Sequence, residues 1–462
     1  MSNYRAVIFV DLKDRDLMGD ALIAHHLEKR GVTCYLEPLE TWQSAIHAYQ
    51  PHFVLYNHLT VNHLADFSQE MKSWGVLVGS MLNEGLLYAK SARIYTSKKQ
   101  HDNIHCDLHL TWNNLHRDEL MKYEFCTPPD MARTVGCPRF DFYKPPWSNV
   151  YQQIKPSAEN NELPVILVNA TFALAHYYTM PRENADRFFA LWKDKVEGVA
   201  DYWRLVETHY KGREKVPSYI TPLIESGKYR VILRPHPREE LAFYQDWISS
   251  LPPEHRNLVS ISTNEPPPVS IFKSDIVINC EDCTTSMEAW LAGIPTLTIA
   301  LEQHPYWFTE TYNRLSPIVY NAEELMEMIP PTLETPMQLD YHTLRQEHLE
   351  KWLFSTDGKS SERAADEIAN LIKEKNLTPH IPFSPRRFWK KWKLLLLKAI
   401  NEPYRSRPKH ILRRMFSDKQ EQVSIRYRDY LKSIRRSDSE EAMQKLATVE
   451  SAWTDKKKPS TD

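Results

Sequence analysis

Short apolar runs alternate with longer amphipathic stretches along most of the chain. Residues 6–10 form a continuous apolar run, the pattern of a strand covered on both faces. Residues 16–30 then place Leu17, Ala21, Leu22, His25 and Leu27 on one helical stripe, closed by Gly31. Strands are expected again at 32–36, 53–56 and 76–79. A polar, proline-bearing stretch over 144–161 reads as a linker. The alternation then restarts. Strands are expected at 165–169, 230–233, 275–279 and 296–300, with helices over about 182–211, 239–249, 285–292 and 360–375. Strands alternating with helices predict parallel sheets, so the fold class is α/β. The expected domains are 1–150 and 163–378, followed by a basic helical tail over 384–462.

The length of 462 residues suits such a division, at ~150 residues per domain. Glycine is scarce, with 11 residues. They form no G-x-G-x-x-G and no G-x-x-x-x-G-K-[ST], so both glycine-rich phosphate loops are absent. Gly358-Lys359-Ser360 imitates the end of the second motif, but Leu353 stands where its first glycine belongs. Any phosphate site here uses other residues.

The formal charge of -2 averages two unlike parts. Residues 384–436 hold 17 Lys and Arg against 4 Asp and Glu, a net of +13, which leaves -15 on the remainder. Within this segment Phe388-Trp389-Lys390-Lys391-Trp392-Lys393 mixes bulky apolar and basic side chains. A basic helix with tryptophan on its other face suits an anionic membrane surface. Packing of that helix on the acidic body is the plainer alternative. No nucleic acid partner is expected, because nothing in the segment reads bases. No apolar run approaches the ~18 residues of a membrane span. The N-terminus shows no signal-peptide pattern, and six irregularly spaced cysteines suit a reducing compartment, so a cytoplasmic location is expected.

Three groups of residues carry candidate chemistry. Arg234-Pro235-His236-Pro237-Arg238 directly follows the strand at 230–233. Ligands of open α/β sheets bind beyond the carboxyl ends of strands. Arg234, His236 and Arg238 on a proline-stiffened loop suit a phosphate or pyrophosphate. A rigid loop with exposed arginines is the alternative. Next, Thr284, Thr285 and Ser286 open the helix at 285–292. A helix N-terminus offers free N–H groups and the positive end of its dipole to an anion. Glu288, in the first turn, is placed to accept hydrogen bonds from ribose hydroxyls. A plain capping box explains these residues equally well.

The third group is Asn83-Glu84-Gly85, after the strand at 76–79. Glu84 is a candidate general base, or a turn cap. Asp11, Lys13 and Arg15 follow the first strand and are candidate donor or acceptor contacts. Asp14-x-Asp16 imitates a D-x-D metal motif, but its place before a helix fits capping. His101, His105 and His109 are spaced by four without an accompanying carboxylate motif, so no metal is expected. Arg363 follows Ser360-Ser361-Glu362 at a helix start, where it either supports the cap or reaches a phosphate.

Glu288-Ala289-(x3)-Gly293-x-Pro295 resembles the nucleotide-sugar motif in the C-terminal domain of GT-B glycosyltransferases. His236-Pro237 resembles the His-Pro motif of bacterial capsule and lipopolysaccharide transferases. These include Kdo transferases, polysialyltransferases and CDP-glycerol glycerophosphotransferases. With Asn83-Glu84-Gly85 and Gly136-Cys137-Pro138-Arg139-Phe140-Asp141, the chain resembles the bacterial surface carbohydrate biosynthesis protein family over about residues 5–375. Asp282-Cys283-Thr284-Thr285 departs from the more usual serine pair.

The resemblance implies a GT-B fold: two Rossmann-like domains facing a cleft. It implies a glycosyltransferase that needs no metal and no cofactor, with a CMP- or other NDP-sugar as co-substrate. The acceptor would be a capsule or lipopolysaccharide glycan at the inner face of the cytoplasmic membrane. Glu84 and His236 would be catalytic, Arg234, Arg238, Thr284, Thr285, Ser286 and Glu288 would hold the nucleotide, and Asp11, Lys13, Arg15 and Arg363 would contact donor or acceptor. Two rivals stand beside it: a nucleotide-sugar 2-epimerase of the same fold, and a non-catalytic scaffold of a polysaccharide assembly complex.

Overall fold

The computed structural model describes residues 4–59, 62–82, 104–122, 131–152, 163–190, 193, 199–263, 265–281, 283–303, 315–335, 339–404 and 432–456. Its strands are β1 (Tyr4–Val10), β2 (Val32–Pro38), β3 (Phe53–Tyr56), β4 (Leu77–Met81), β5 (Leu108–Thr111) and β6 (Ala132–Thr134), then β7 (Val165–Asn169), β8 (Arg230–Arg234), β9 (Val259–Ile261), β10 (Ile276–Cys280), β11 (Thr296–Ile299) and β12 (Ile318–Val319). Among its helices are α1 (Lys13–Lys29), α2 (Trp42–Tyr49), α3 (Tyr202–Glu225), α4 (Leu241–Ser250), α5 (Thr285–Ala292), α6 (Ser360–Lys375), α7 (Pro385–Ala399) and α8 (Arg436–Lys456).

The strands form two six-stranded sheets, each wholly parallel. The first has the order β2-β1-β3-β4-β5-β6 and the second β12-β11-β10-β7-β8-β9. The chain therefore has two Rossmann-like units, the GT-B class of α/β fold. Strand order reverses between β1 and β3 in the first sheet and between β7 and β10 in the second. Those are the switch points where open α/β sheets bind ligands.

The continuous apolar runs explain the strands. Residues 6–10 are all buried, as a strand covered on both faces requires. In the second unit Ile166, Val168, Val231, Leu233, Ile276 and Ile278 share one core with Val216, Ile220, Leu223 and Ile224 of α3. The apolar stripe of α3 outweighs Pro217 and Pro222, which lie inside it. Proline in a helix interior removes a backbone bond and disfavours the helix locally. The helical region expected over about 182–211 is a helix at Arg182–Phe189 and then α3, which continues to Glu225.

The compact units do not follow the expected boundaries. Among the described residues, the first combines those up to Val150 with those from Leu349 onward, and the second spans Tyr151–His348. Helix α6, expected in the second domain, buries Ala364, Ala365, Ile368, Ala369 and Ile372 and packs on α1. Helix α7 packs on α2, and α8 on α1. Ion pairs join α8 to α1: Lys13 Nζ to Asp438 Oδ1 at 2.8 Å, and both His25 and Lys29 to Glu450. An amphipathic stripe reveals that a helix must be covered, and not by which unit.

Candidate functional site

In the second unit, β8 ends at Arg234 and the loop through Pro235, His236, Pro237 and Arg238 turns toward α4. The loop is held from within by a carboxylate that sequence reasoning missed. Glu239 is 3% exposed, and its Oε1 accepts from the His236 N–H at 2.7 Å and the Phe172 N–H at 3.1 Å. The Tyr244 hydroxyl donates to Oε2 at 2.5 Å. One side chain thus joins the loops after β7 and β8 and the start of α4. Burial pushes the Glu239 carboxyl up to about 7, against the pull of these hydrogen bonds. Its signal in the sequence was an acidic residue directly after a doubly basic loop.

The same loop fixes the tautomer of His236. The Arg238 N–H donates to His236 Nδ1 at 3.2 Å. Nδ1 is therefore an acceptor, and the neutral ring carries its proton on Nε2. The Arg238 guanidinium lies 5.2 Å from the Phe188 ring centre, in an aromatic setting that includes Tyr177 and His176. Burial, then the cations Arg238 and Arg213, lowers His176 to about 4, so that ring is neutral at physiological pH. Arg234 is positioned differently from its sequence expectation. Its Nη2 donates to the Glu265 carbonyl at 3.0 Å and its Nη1 approaches Ser262 and Ser270 Oγ at 3.3 and 3.5 Å. It braces the loop after β9.

At the switch point of the second sheet, the strand ends are tied by a polar network. Asn169 Nδ2 donates to Asn279 Oδ1 at 3.0 Å, and Thr285 Oγ1 donates to the same oxygen at 3.0 Å. Asn279 Nδ2 donates to Ser286 Oγ at 2.8 Å. Ser286 and Glu288 are buried, at 3% and 4% exposure. Thr285 and Ser286 hydroxyls therefore shape the start of α5. Thr284 occupies the N-cap position without a side-chain cap bond, so the capping reading does not use its hydroxyl. Together the structure gathers His236, Arg238, Thr284 and the N-terminus of α5 into the second unit, on loops after β8 and β10.

The first unit carries a pocket at its own switch point. Asp16, Asp20, Asn57, Met81, Trp112 and Arg139 are among its walls. They come from α1, the ends of β3 and β4, and the segments after β5 and β6. Asp16 Oδ2 accepts from the Leu12 N–H at 3.0 Å and Oδ1 pairs with Arg15 Nε at 2.7 Å. The first contact is the capping role expected of this aspartate. Asp20 is open to the pocket on one side and surrounded by protein on the others. That desolvation, reinforced by the charge of Asp16, raises its carboxyl well above the usual range. The Arg139 guanidinium lies 5.1 Å from the Trp112 ring centre. Asp20 and Trp112 were not singled out from sequence, and Arg139 entered only as part of the Gly136–Asp141 motif.

The remaining expected contacts divide. Arg15 lines this pocket, whereas Asp11 pairs with Lys432 at 2.8 Å and Lys13 with Asp438 at 2.8 Å. Arg363 donates to the Val135 carbonyl at 2.8 Å and to Asp357 at 2.8 and 3.1 Å. It fastens α6 to the segment after β6. The cap of α6 comes from Asp141, which accepts from Ser360 N at 2.9 Å, Ser361 N at 2.8 Å and Ser361 Oγ at 2.6 Å. Burial raises Asp141 to about 6 despite those bonds. Gly136 has φ +93°, and a Cβ there would lie 2.4 Å from Ser360 Oγ. The Gly136–Asp141 motif is thus the seat of a helix N-terminus. His105 lies in a loop 3.1 Å from Asp107, and His109 sits in β5, so their spacing falls on no helix. Glu84 and His101 lie outside the described residues, although Met81 and Leu82, just before Glu84, line the pocket.

No protein-family model matches the sequence. No curated protein matches it either. Solved structures do match. A variant of the wall teichoic acid polymerase TagF soaked with CDPG is 13% identical, over 80% of this chain and 89% of that one, with a TM-score of 0.52. TagF without substitution gives 12%, 80%, 90% and 0.51. A putative UDP-N-acetylglucosamine 2-epimerase from Listeria monocytogenes gives 14%, 80%, 97% and 0.46. At such identity the likeness to TagF is one of fold.

Proposed function

We propose that the chain is a glycosyltransferase of GT-B type that moves a sugar from a nucleotide-activated donor to a hydroxyl of a bacterial surface glycan. The observation that carries this reading is the His236 loop: a proline-stiffened turn at a strand end, with Nδ1 held as acceptor so that the ring proton sits on Nε2. Nε2–H of His236 donates to a phosphate oxygen of the departing nucleotide. Arg238 and the N-terminus of α5 add positive potential, and Thr284 adds a hydroxyl donor. The charge that develops as the anomeric C–O bond breaks is met by prearranged donors, the usual route to large rate gains. Glu288 lies in the first turn of α5 and takes the ribose. These groups act without a metal ion. The acceptor oxygen bonds to the anomeric carbon and passes its proton to a carboxylate, for which Glu84 is our choice.

Two further features support the reading. The first unit's pocket combines an aromatic wall with carboxylate, amide and guanidinium groups, a composition suited to a polyhydroxylated acceptor. TagF, whose fold the chain shares, is a polymerase that was soaked with CDPG. A cytidine nucleotide is the donor base we favour, and capsule or lipopolysaccharide is the acceptor class, both through the motif resemblance. The test is a panel of nucleotide sugars, read first as thermal stabilisation and then as transfer to glycan acceptors. Stabilisation by one nucleotide with release of that nucleotide only in the presence of acceptor is the expected result. Epimerised donor without acceptor would replace the reading by an epimerase, and no stabilisation by any donor would overturn it.

A further inference from the structure

Helix α7 divides its residues between two faces. The inner face joins the first unit: Leu394 is buried in its core, and Arg387 pairs with Glu70 at 2.7 Å. Lys390 donates to Gln43 at 2.5 Å, and Lys398 pairs with Glu37. Three of the helix's basic side chains are therefore held by the body of the protein. The outer face is apolar. Trp389 is 72% exposed, Trp392 51%, Leu396 63% and Ile400, the C-cap, 60%. Their spacing of three, four and four residues places them on one stripe. Phe383, just before the helix, is 75% exposed.

Exposed large side chains scattered over a surface need no explanation, but a contiguous stripe does. Its charge surroundings identify the partner. Arg386 and Lys393 are exposed beside the stripe, and Lys391 is half-buried. Residues 385–399 contain no Asp or Glu. The sequence that follows, 405–431, holds eight Lys and Arg against three Asp and Glu. No described helix is long and apolar enough to cross a membrane. Tryptophan prefers the headgroup level of a bilayer, and an amphipathic basic helix lies in that plane with its apolar side toward the acyl chains.

We propose that the outer face of α7 is a membrane-docking surface for anionic lipid, with Trp389, Trp392, Leu396 and Ile400 inserted among the acyl chains and Arg386 and Lys393 at the headgroups. The packing of α7 refines the expectation for the basic segment. One face covers the acidic body and the other serves the bilayer. Because Arg387, Lys390 and Lys398 are engaged inward, the apolar stripe contributes more to binding than the charge of this helix. Neither inference depends on the other: docking stands or falls without regard to glycosyl transfer.

The test uses the full chain with vesicles of equimolar phosphatidylserine and phosphatidylcholine, and with vesicles of phosphatidylcholine alone. Co-sedimentation with the anionic vesicles and a blue shift of tryptophan emission are expected. The double variant Trp389→Ser, Trp392→Ser should weaken partitioning about a hundredfold. Arg386→Gln or Lys393→Gln should each weaken it about fivefold, and high salt should reproduce that smaller loss. Both sets should keep the thermal midpoint, since the side chains are exposed. Absence of binding to anionic vesicles, equal binding to both vesicle types, or undiminished binding of the tryptophan variant would each overturn the proposal. So would a dimer in solution that the tryptophan variant dissolves while vesicle binding is absent.

Discussion

The two sheets reach their switch points with opposite chemistry. In the second unit Asn169, Asn279, Thr285 and Ser286 hydrogen-bond to one another across the reversal between β7 and β10. The neighbouring loop after β8 adds His236 and Arg238. In the first unit the reversal between β1 and β3 opens into a pocket walled by carboxylates, an amide, a guanidinium and an indole. A site built from N–H donors suits a phosphate, and one built from mixed acceptors and donors suits hydroxyls. In the proposed reaction the second unit supplies the electrophile side and the first the nucleophile side. The lesson is that the switch point gives the location, and the residues around it give the class of ligand.

Substitutions at three residues sharpen that contrast. The largest effect belongs to His236→Ala, which removes the Nε2–H donor. Transfer should fall by about two to three orders of magnitude while the fold is kept, measured as initial rate and circular dichroism. Full turnover in that variant would remove the phosphate role from the second unit. Next is Glu239→Ala, which leaves the buried His236 and Phe172 N–H groups without their acceptor. We expect a loss of about 2–3 kcal/mol in chemical unfolding, together with reduced transfer.

Glu239 also predicts a pH dependence. Its carboxyl titrates at about 7 in the fold against an ordinary 4.5. Between those values the folded chain keeps the proton that the unfolded chain releases, so this contribution to stability is full below pH 4.5 and is lost as pH rises through about 7. Glu239→Gln should flatten that decline; an unchanged slope would remove Glu239 as its source. The smallest effect is Asp141→Ala in the first unit, which uncaps α6. A cost of about 1–2 kcal/mol is expected, with nucleotide stabilisation of the second unit unchanged in a thermal-shift titration. Loss of nucleotide stabilisation there would show that the two units do not separate the tasks as described.

Much of the fold was legible because buried parallel strands are continuous apolar runs. Residues 6–10 and 276–280 could be little else. Short strands such as β6 and β12, with three and two residues, carry too few side chains to show a pattern. The His236 loop was visible because prolines, arginines and histidine coincide at a strand end. Arg234 shows what such a loop leaves open in sequence, because a guanidinium can brace a neighbouring turn as well as bind a ligand. Its contacts to Ser262, Ser270 and Glu265 appear only in three dimensions. Glu239, Asp20 and Asp141 escaped for a related reason. Their roles arise from partners distant in sequence, such as Phe172 for Glu239 and Ser361 for Asp141.

The assembly of the first unit from both ends of the chain bears on the order of its birth. Among the described residues the second unit is one stretch, 151–348, which leaves the ribosome before α6 is made. The first unit is synthesised earlier yet must wait for α6, α7 and α8 to cover α1 and α2. Until then the apolar surfaces that receive Ile368 and Leu394 stand open to water. A nascent chain stalled before α6 would display a finished second unit and an unfinished first one. Helix α7, proposed above to meet lipid, belongs to that late-emerging cover, so docking through it would follow completion of the fold.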